Sequence, residues 1–363
     1  MRILGIETSC DETSVALLEV GGVSSGTQMP PGAPDVRMVF HETATQIPIH
    51  ERYGGVVPEV AARTHVAELV SLLERGGVFG AGAASFDAIA ATRGPGLATA
   101  LRVGLEAGKI LAWVSGKPMV GVNHLEGHLA SAWLDPANRD KWRLPLLAVL
   151  VSGGHSEYVL MRDFGKYRVL GRTRDDAAGE AFDKAAKLMG LGYPGGPKIS
   201  AYAAKGNPAA YELPRPMLRE TSCDLSFSGL KTAVRYLWEG MSPEQRADEQ
   251  VLADVCASLQ AAIVDVTVEK AIRAAKLGKA KAVSLVGGVS ANRLLQERLR
   301  AAVVERLPGV VFLDPPKGLH TDNAAMIAAA GYWRMHRGIP DRWQGLDAKP
   351  EWDVSSWTHR KTT

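Results

Sequence analysis

The sequence has few cysteines, no long hydrophobic run without charges and little excess charge of either sign. Its three cysteines, Cys10, Cys223 and Cys256, form no Cys-X-X-Cys motif. Three cysteines cannot build a disulfide framework, so we expect a reducing, cytoplasmic environment. The chain reaches the acid Glu7 after a short apolar start, which is unlike a secretory signal peptide.

No run of about 18 uncharged apolar residues occurs, so neither a membrane span nor a membrane partner is expected. The net charge of +3 permits contact with nucleic acid but does not predict it, because an electrostatic footprint needs clustered charges. What the sequence does contain is an ordinary globular composition, with 46% hydrophobic and 22% charged residues. A length of 363 residues predicts two domains.

Two segments repeat one pattern of strand, polar turn and strand. They are residues 3–20 and 146–161, and each predicts a β-hairpin. Further strands and helices follow in both halves, which indicates a duplicated α/β fold. We therefore predict an N-terminal domain at 1–140, a C-terminal domain at 141–340 and a polar tail at 341–363.

Composition places the remaining features. The polar stretch 135–143 marks the domain boundary, and 175–245 has so little strand signal that it predicts a helical insertion in the second domain. Residues 193–197 predict a rigid loop. The Gly-, Ser- and Pro-rich segment 21–36 predicts a flexible loop between two strands.

The most informative pair is His124 and His128 at the start of a predicted helix. Four residues apart, both imidazoles lie on one helix face and can reach one metal ion. Two histidines are an incomplete site, and Asp322 at the start of a later helix is the candidate third ligand. The alternative is an ordinary pair of surface histidines.

A zinc peptidase is the runner-up interpretation of this pair. Its motif places a glutamate directly after the first histidine, where it acts as the base. Here Glu126 follows two residues after His124, about 160–200° around the helix from both histidines. A peptidase would therefore lack its base.

Three strands run into glycine or hydroxyl residues, as in folds that bring backbone N–H groups close to phosphate. The turns are Glu7–Thr13 with Thr8, Ser9, Asp11 and Thr13; Ser152–Gly154; and Gly287–Gly288, ahead of Asn292. Singly, each could be a structural turn. Together they are arranged as in the ATP-binding superfamily of actin, sugar kinases and Hsp70, so an ATP-dependent switch or scaffold is a third possible class.

The segment Asp175–Lys184 places acids and a lysine at helical spacing. Such a pattern usually forms a solvated face. Asp183, however, lies next to Phe182 and ahead of the rigid loop, where its carboxylate could accept hydrogen bonds from ribose hydroxyls.

Eight motifs together carry a family resemblance. They are Glu7–Thr13 (ETSCDET), Asn123–His128 (NHLEGH), Leu150–Ser156 (LVSGGHS), Asp175–Lys184 (DDAAGEAFDK), Tyr193–Pro197 (YPGGP), Asp224–Lys231 (DLSFSGLK), Gly287–Arg293 (GGVSANR) and His320–Ala328 (HTDNAAMIA). Up to about residue 340 the chain resembles the bacterial TsaD family, the tRNA N6-adenosine threonylcarbamoyltransferases once labelled O-sialoglycoprotein endopeptidases.

The resemblance implies two actin-like (RNase H-like) domains with a ligand cleft between them. It implies one divalent metal ion, iron(II) or zinc(II), held by His124, His128 and Asp322. It further implies a site for threonylcarbamoyl-AMP. The residues of that implied site are Leu150, Val151, Ser152, Gly153, Gly154, Asp183, Gly196 and Asn292.

The implied reaction moves a threonylcarbamoyl group from threonylcarbamoyl-AMP to N6 of the adenosine 3′ of the anticodon, in tRNAs reading codons that begin with A. TsaB and TsaE proteins are the implied partners. The sequence departs from the family in the length of 21–36 and at Ser200, where the family often has an acid and a ribose contact. Candidate contacts to tRNA phosphates are Lys184, Lys187, Lys198 and Lys231.

Overall fold

The computed structural model describes residues 1–21, 35–79, 85–336 and 340–356, which form two compact units. Unit 1 consists of Met1–Trp142, Arg162–Tyr167 and Leu313–Thr363. Unit 2 consists of Arg143–Met161 and Arg168–Phe312. Each unit is built around one five-stranded sheet, so the predicted α/β class is confirmed.

Three consecutive strands open each unit, and helices and further strands follow. Up to residue 142 they are β1 (Arg2–Glu7), β2 (Glu12–Gly21), β3 (Asp35–Thr45), α1 (Ile47–His50), α2 (Pro58–Arg75), β4 (Ala88–Gly94), α3 (Ala98–Ser115), β5 (Met119–Asn123) and α4 (His124–Ser131). From residue 143 they are β6 (Leu146–Val151), β7 (Ser156–Asp163), β8 (Lys166–Arg172), α5 (Ala178–Leu188), α6 (Gly195–Ala203), α7 (Ser228–Glu239), α8 (Pro243–Ala247), α9 (Glu249–Gly278), β9 (Ala282–Val286), α10 (Arg293–Arg306), β10 (Val311–Leu313) and α11 (Ala324–His336).

The two sheets share one strand order. In unit 1 it is β3-β2-β1-β4-β5, and in unit 2 the corresponding order is β8-β7-β6-β9-β10. The first strand of each unit is central, forms an antiparallel hairpin with the second and lies parallel to the fourth. Both predicted hairpins are therefore present, and the duplication extends to the whole sheet.

Helix α11 belongs to unit 1 because it packs on the face of β1 opposite to α3. Leu4 and Ile6 point into the core that contains Leu105 of α3. Gly5 points the other way, and a Cβ there would lie only 2.3 Å from the carbonyl oxygen of Ala324. Residues 313–340 thus group with unit 1, whereas the predicted second domain ran to residue 340. Nothing in the sequence of this segment indicates that it packs on unit 1.

Helix α9 is the centre of the unit 2 core. By length and apolar composition it could cross a membrane, but 78% of its most apolar window is buried inside the protein. Its buried side chains include Val255, Leu259 and Ile263, which pack with the apolar faces of α5 and α7. This is the environment of a core helix.

Two predicted features differ from the structure, and one strand was not predicted. The predicted rigid loop 193–197 contains the first turn of α6, and the polar strand β8 was not predicted. Within the predicted polar tail, Leu346, Trp352 and Val354 are buried against unit 1. Residues 22–34 of the predicted 21–36 loop, and 357–363 of the tail, lie outside the described residues.

Candidate functional site

The two histidines of unit 1 are presented by the junction of β5 and α4. Asn123 ends the buried strand, and its side-chain oxygen accepts hydrogen bonds from the backbone N–H of Leu125 (2.9 Å) and Glu126 (3.4 Å). Such an N-cap contributes about 1 kcal/mol to helix stability. It fixes His124 as the first residue of the helix, with His128 one turn later on the same face.

Asp322 is presented by a second cap, at the start of α11. The side chain of Asn323 accepts from the N–H of Met326 (3.0 Å) and donates to the carbonyl of Thr321 (2.7 Å), which holds the turn around Asp322. Helices α4 and α11 pack closely because Gly127 has no side chain. A Cβ there would lie 2.8 Å from Cδ1 of Ile327.

The predicted triad converges in unit 1. Oδ1 of Asp322 lies 3.0 Å from Nε2 of His128 and 3.5 Å from Nε2 of His124. One ligand atom from each residue falls within 4.8 Å of the other two. His128 is fully buried, its Nε2 faces Asp322, and its Nδ1 forms no hydrogen bond with any described residue.

Two imidazoles and one carboxylate are a common ligand set for iron(II) and zinc(II). Buried polar atoms without hydrogen bonds are rare in native proteins and call for a partner. The residues therefore fit a divalent metal ion, which one ring nitrogen of each histidine and one carboxylate oxygen of Asp322 would bind.

Glu7 orients His124 from behind. Its Oε2 lies 3.1 Å from Nδ1 of His124, and the hydroxyl of Ser9 lies 3.2 Å from the same nitrogen. Glu7 is fully buried and also accepts from the N–H of Ser9 and the hydroxyl of Thr92, both at 2.5 Å. A carboxylate at Nδ1 leaves Nε2 as the atom that faces Asp322. Sequence reasoning placed Glu7 in a phosphate-binding turn and missed this role.

The charges of the metal-free triad are strongly coupled. Burial alone would lower the pKa of His124, but the carboxylates of Asp322 and Glu7 outweigh burial and raise this pKa well above its usual value. Burial alone would raise the pKa of Asp322, but His124 and His128 hold it well below its usual value. A metal ion would take the place of the proton that these groups attract.

Two hydroxyls of the Glu7–Thr13 turn form hydrogen bonds with other parts of unit 1. Thr8 donates to the carbonyl of Ala100 (2.9 Å) and accepts from the N–H of Gly104 (3.1 Å). The hydroxyl of Thr13 lies 2.8 Å from Nδ1 of His65. These groups fasten the turn to α2 and α3. The prediction that they line a phosphate site is not supported by these contacts.

Glu126 faces away from the triad, as its position on the helix predicts. It is buried, and its Oε1 accepts a hydrogen bond from the phenol of Tyr167. This carboxylate is engaged with another part of unit 1. The contact agrees with the absence of a peptidase base.

In unit 2, several of the predicted substrate residues lie at one edge of the sheet. The parallel strands β6 and β9 end there, followed by the turn Ser152–His155 and by Gly287. Ser152 accepts from the N–H of Gly179 at the start of α5 (3.1 Å). A Cβ on Gly287 would lie 2.5 Å from the carbonyl of Val151, so the two strand ends are in close contact.

The Ser152–Gly154 turn is open on its outer side. A Cβ added to Gly153 or Gly154 would meet no atom within 4 Å. The N–H of Ser152 bonds to the carbonyl of His155 (2.8 Å), which closes the turn. Leu150 and Val151 are buried strand residues whose side chains lie in the core, so they position this turn.

Asp183 connects α5 to α6. Its Oδ1 accepts from the backbone N–H of Gly195 (2.7 Å), the first residue of α6. A Cβ on Gly195 would lie 2.6 Å from the carbonyl of Phe182, whereas a Cβ on Gly196 would meet nothing within 4 Å. The two adjacent glycines thus differ, because the first permits helix packing and the second leaves open space at the helix N-terminus.

Asn292 caps α10 and takes part in a triangle of polar side chains. Its Oδ1 accepts from the N–H of Leu295 (3.0 Å), and its Nδ2 donates to Oγ of Ser200 (3.0 Å) and Oε1 of Gln260 (2.8 Å). The hydroxyl of Ser200 also donates to Oε1 of Gln260 (2.9 Å). Gln260 was not predicted as a site residue, because it lies within the apolar pattern of α9.

Two of the predicted tRNA-contacting lysines are engaged in ion pairs. Lys184 pairs with Asp176 (2.8 Å) and Glu180 (2.7 Å), and Lys231 pairs with Asp176 (2.6 Å). The hydrogen bonds to Asp176 and Glu180 raise the pKa of Lys184 above its usual value. Lys187 is exposed and forms no ion pair with any described residue.

The chain matches known proteins along most of its length. The family model described as TsaD, tRNA N6-adenosine threonylcarbamoyltransferase, matches residues 37–329. A tRNA N6-adenosine threonylcarbamoyltransferase of Desulfitobacterium hafniense strain Y51 is 48% identical over 92% of each chain. One of Bordetella petrii is 45% identical over 98% of each chain.

Solved structures share the fold at low identity. Full-length HypF in a phosphate- and nucleotide-bound form superposes with a TM-score of 0.54 at 13% identity, covering 93% of this chain and 55% of HypF. HypF of T. kodakarensis gives a TM-score of 0.55 at 14% identity, covering 92% and 48%. At these identities the likeness concerns the fold alone.

Proposed function

The chain belongs to the tRNA N6-adenosine threonylcarbamoyltransferase family, and from this premise we propose a division of roles between its two units. The family and its relatives make the chain a transferase that modifies tRNA. We propose that its donor is threonylcarbamoyl-AMP and that its acceptor is N6 of the adenosine 3′ of the anticodon. The observation that carries the proposal is the convergence of His124, His128 and Asp322 in a chain of this family.

The chemistry joins a weak nucleophile to an activated carbonyl. The N6 amine attacks the carbamoyl carbon and forms a C–N bond, while the C–O bond to the phosphate breaks and AMP leaves with its electron pair; one proton of the amine is released to solvent. The amine lone pair is delocalised into the adenine ring, so the enzyme must position both reactants and stabilise charge on the carbonyl and phosphate oxygens. No covalent enzyme intermediate is required.

Unit 1 would supply the metal. His124, His128 and Asp322 would hold an iron(II) or zinc(II) ion, which would act as Lewis acid and template. We propose iron(II), because two histidines and one carboxylate with open positions are typical of non-haem iron sites. Glu7 would hold the ring of His124 so that its Nε2 stays available as a ligand.

Unit 2 would hold the AMP portion of the donor. The open Ser152–Gly154 turn and the N-terminus of α6 at Gly196 offer backbone N–H groups and space near a phosphate. Asp183 and Asn292 fix the ends of α6 and α10 beside this turn. The predicted substrate residues therefore act partly through backbone groups and partly as positioning residues.

The nucleotide acceptor lies in a single-stranded loop, so turning its base outward costs little. With two of the four candidate lysines held by Asp176, we propose Lys187 as a phosphate contact. We expect TsaB and TsaE proteins as partners in the cell and a cytoplasmic location.

The test is transfer of labelled threonylcarbamate from threonylcarbamoyl-AMP to an unmodified tRNA, with TsaB and TsaE added. A tRNA in which guanosine replaces the adenosine 3′ of the anticodon is the matched control. The proposal requires label on the first tRNA and none on the second. Equal labelling of both tRNAs would contradict the proposed acceptor.

A further inference from the structure

Segment 346–354 packs along the end of β4 in unit 1. The backbone N–H of Lys349 donates to the carbonyl of Arg93 (2.7 Å). A Cβ on Gly94, the next residue and the last of β4, would lie only 1.8 Å from the carbonyl oxygen of Lys349. Because only glycine permits this approach, the end of β4 is matched to a segment that lies far away in the chain.

The same segment reaches the turn that contains Ser9. The N–H of Gly96 donates to the carbonyl of Pro350 (3.1 Å). Gly96 also contacts the turn, since a Cβ there would lie 2.6 Å from the carbonyl oxygen of Ser9. The hydroxyl of Ser9 lies 3.2 Å from Nδ1 of His124. Gly96 thus connects the segment to a side chain that contacts the first histidine of the triad.

A second connection runs through the cap of α4. The N–H of Leu125 can only donate, so the atom of Asn123 that it contacts is the side-chain oxygen. The other atom of Asn123 is therefore the amide nitrogen, which donates to the backbone carbonyl of Trp352 (3.1 Å). Asn123 is fully buried and directly precedes His124. The carbonyl of Trp352 thus fixes the orientation of the side chain that begins the helix of both histidines.

The indole ring of Trp352 anchors this carbonyl. The side chain is only 8% exposed. The guanidinium of Arg93 lies 5.4 Å from the ring centroid and the ammonium of Lys349 lies 5.2 Å from it. Cations at these distances are attracted to the face of an indole ring. The ring therefore holds the segment at the position from which Asn123 is reached.

These contacts link the segment to the geometry of the triad. Groups that orient metal ligands from behind typically change metal affinity ten- to a hundredfold when they are removed. Segment 346–354 contacts two such groups, the cap residue Asn123 and the loop packed against Ser9. A segment that only covered apolar surface would not need these polar contacts.

We propose that Trp352 is a positioning residue of the metal site, which acts through Asn123 on the helix of His124 and His128. Metal binding and the docking of segment 346–354 then stabilise each other, because such a coupling is reciprocal. The inference rests on the proposed function, since it takes the triad to hold a divalent ion.

The first experiment measures the zinc(II) affinity of the full chain by competition with a chromophoric chelator. Trp352→Ala should bind zinc about tenfold more weakly, because the carbonyl loses its anchor. Trp352→Phe keeps an aromatic face for the two cations and should bind zinc as the wild type does. Trp113→Ala is the matched control, since Trp113 is 72% exposed on α3 and should not affect the affinity.

Asn123→Asp tests the polar contact without altering the indole ring. Aspartate caps a helix as well as asparagine does, but it cannot donate to the carbonyl of Trp352. Its added negative charge would by itself favour a cation, so an affinity about tenfold lower would come from the lost contact. Asn207→Asp is the control, at an exposed residue whose Oδ1 accepts from the N–H of Ala209 (3.0 Å).

A second readout is hydrogen exchange of the backbone amides in segment 346–354, measured by mass spectrometry with and without zinc(II). In the wild type zinc should slow this exchange about tenfold, by the same factor as the segment raises zinc affinity. In Asn123→Asp zinc should no longer slow it. A segment that serves only the stability of unit 1 would not give this difference between the two chains.

Zinc affinities within about twofold of the wild type in both Trp352→Ala and Asn123→Asp would overturn the inference. Exchange in the wild-type segment that zinc leaves unchanged would also overturn it. The wild-type chain separates this inference from the proposed function. If it binds zinc and transfers label while both variants keep their affinity, the function stands without the role of Trp352. If it binds no zinc, the metal site itself is wrong, and this inference is overturned with it.

Discussion

Oε2 of Glu7 lies 3.1 Å from Nδ1 of His124, in a fully buried position behind the proposed metal-binding triad. Glu7 is the last residue of β1, and His124 is the first residue of α4. The strand therefore fixes the ring orientation of a residue on another element. Such a carboxylate behind a histidine sets both the ligating nitrogen and its basicity.

Replacing Glu7 with Gln should weaken metal binding. The amide keeps the shape of the carboxylate but not its charge, so His124 becomes a poorer ligand, and we expect an affinity about ten- to a hundredfold lower. Competition with a chromophoric chelator measures this. The control is Glu19→Gln. Glu19 lies on β2 and pairs with Arg37 of β3, so this variant should bind metal as the wild type does. Equal affinities for the Glu7 variant and the control would remove the role assigned to Glu7.

His124→Ala should abolish stoichiometric metal binding and reduce threonylcarbamoyl transfer at least about a hundredfold, because two ligands cannot complete the site. Metal analysis and the tRNA labelling assay provide the two readouts. His41→Ala, at a histidine of β3, serves as the matched variant and should retain both properties. A His124 variant with full transfer would indicate a scaffold, not a metal-dependent enzyme.

The metal-free protein should lose stability as the pH rises through the raised pKa of His124. Asp322 and Glu7 raise this pKa above the unfolded value of 6.5, so the contribution of His124 is fully present below about pH 6.5. Urea unfolding in chelator should therefore show that the difference in unfolding free energy between wild type and His124→Ala narrows as the pH rises above about 6.5. With metal present the difference in unfolding free energy should instead increase with pH, because the ion binds only the neutral imidazole. If this free-energy difference in chelator did not change with pH, His124 would not be the group that binds an additional proton in the metal-free folded state.

The adjacent glycines of α6 should respond in opposite ways to alanine. Gly195→Ala places a Cβ against the backbone of Phe182 and should reduce the free energy of unfolding by about 1–3 kcal/mol. Gly196→Ala meets open space, so stability should change by less than about 1 kcal/mol while AMP affinity falls severalfold. Urea unfolding and calorimetry separate the two effects. Unchanged AMP affinity in Gly196→Ala would place the nucleotide elsewhere.

Local patterns predicted two of the three residues of the proposed metal site and the helix that carries them. The i, i+4 spacing of His124 and His128 and the cap residue before them are properties of one short segment. The hairpins at 3–20 and 146–161 likewise follow from local alternation. Asp322 could be proposed as the third ligand, but no local pattern shows that α11 packs on unit 1 beside the histidines.

Tertiary contacts determine what the sequence did not reveal. Gly195 and Gly196 have poor helix propensity, yet α6 begins there because Asp183 accepts from the backbone of Gly195. The tail was predicted as polar, but Asn123 donates to the carbonyl of Trp352 (3.1 Å), and Arg93 lies over the same indole ring. Gln260 meets partners that are 60 and 32 residues away in the chain. No periodicity could indicate these pairings.

The central claim is that metal held by His124, His128 and Asp322 is needed to modify tRNA. The most direct test measures bound metal and labelled adenosine in the same samples, using protein stripped by chelator and then reloaded with iron(II) or zinc(II) beside TsaB and TsaE. The account predicts that label on the adenosine 3′ of the anticodon disappears with the metal and returns in proportion to the metal restored. Undiminished labelling by metal-free protein would contradict it, as would no labelling by the fully loaded protein.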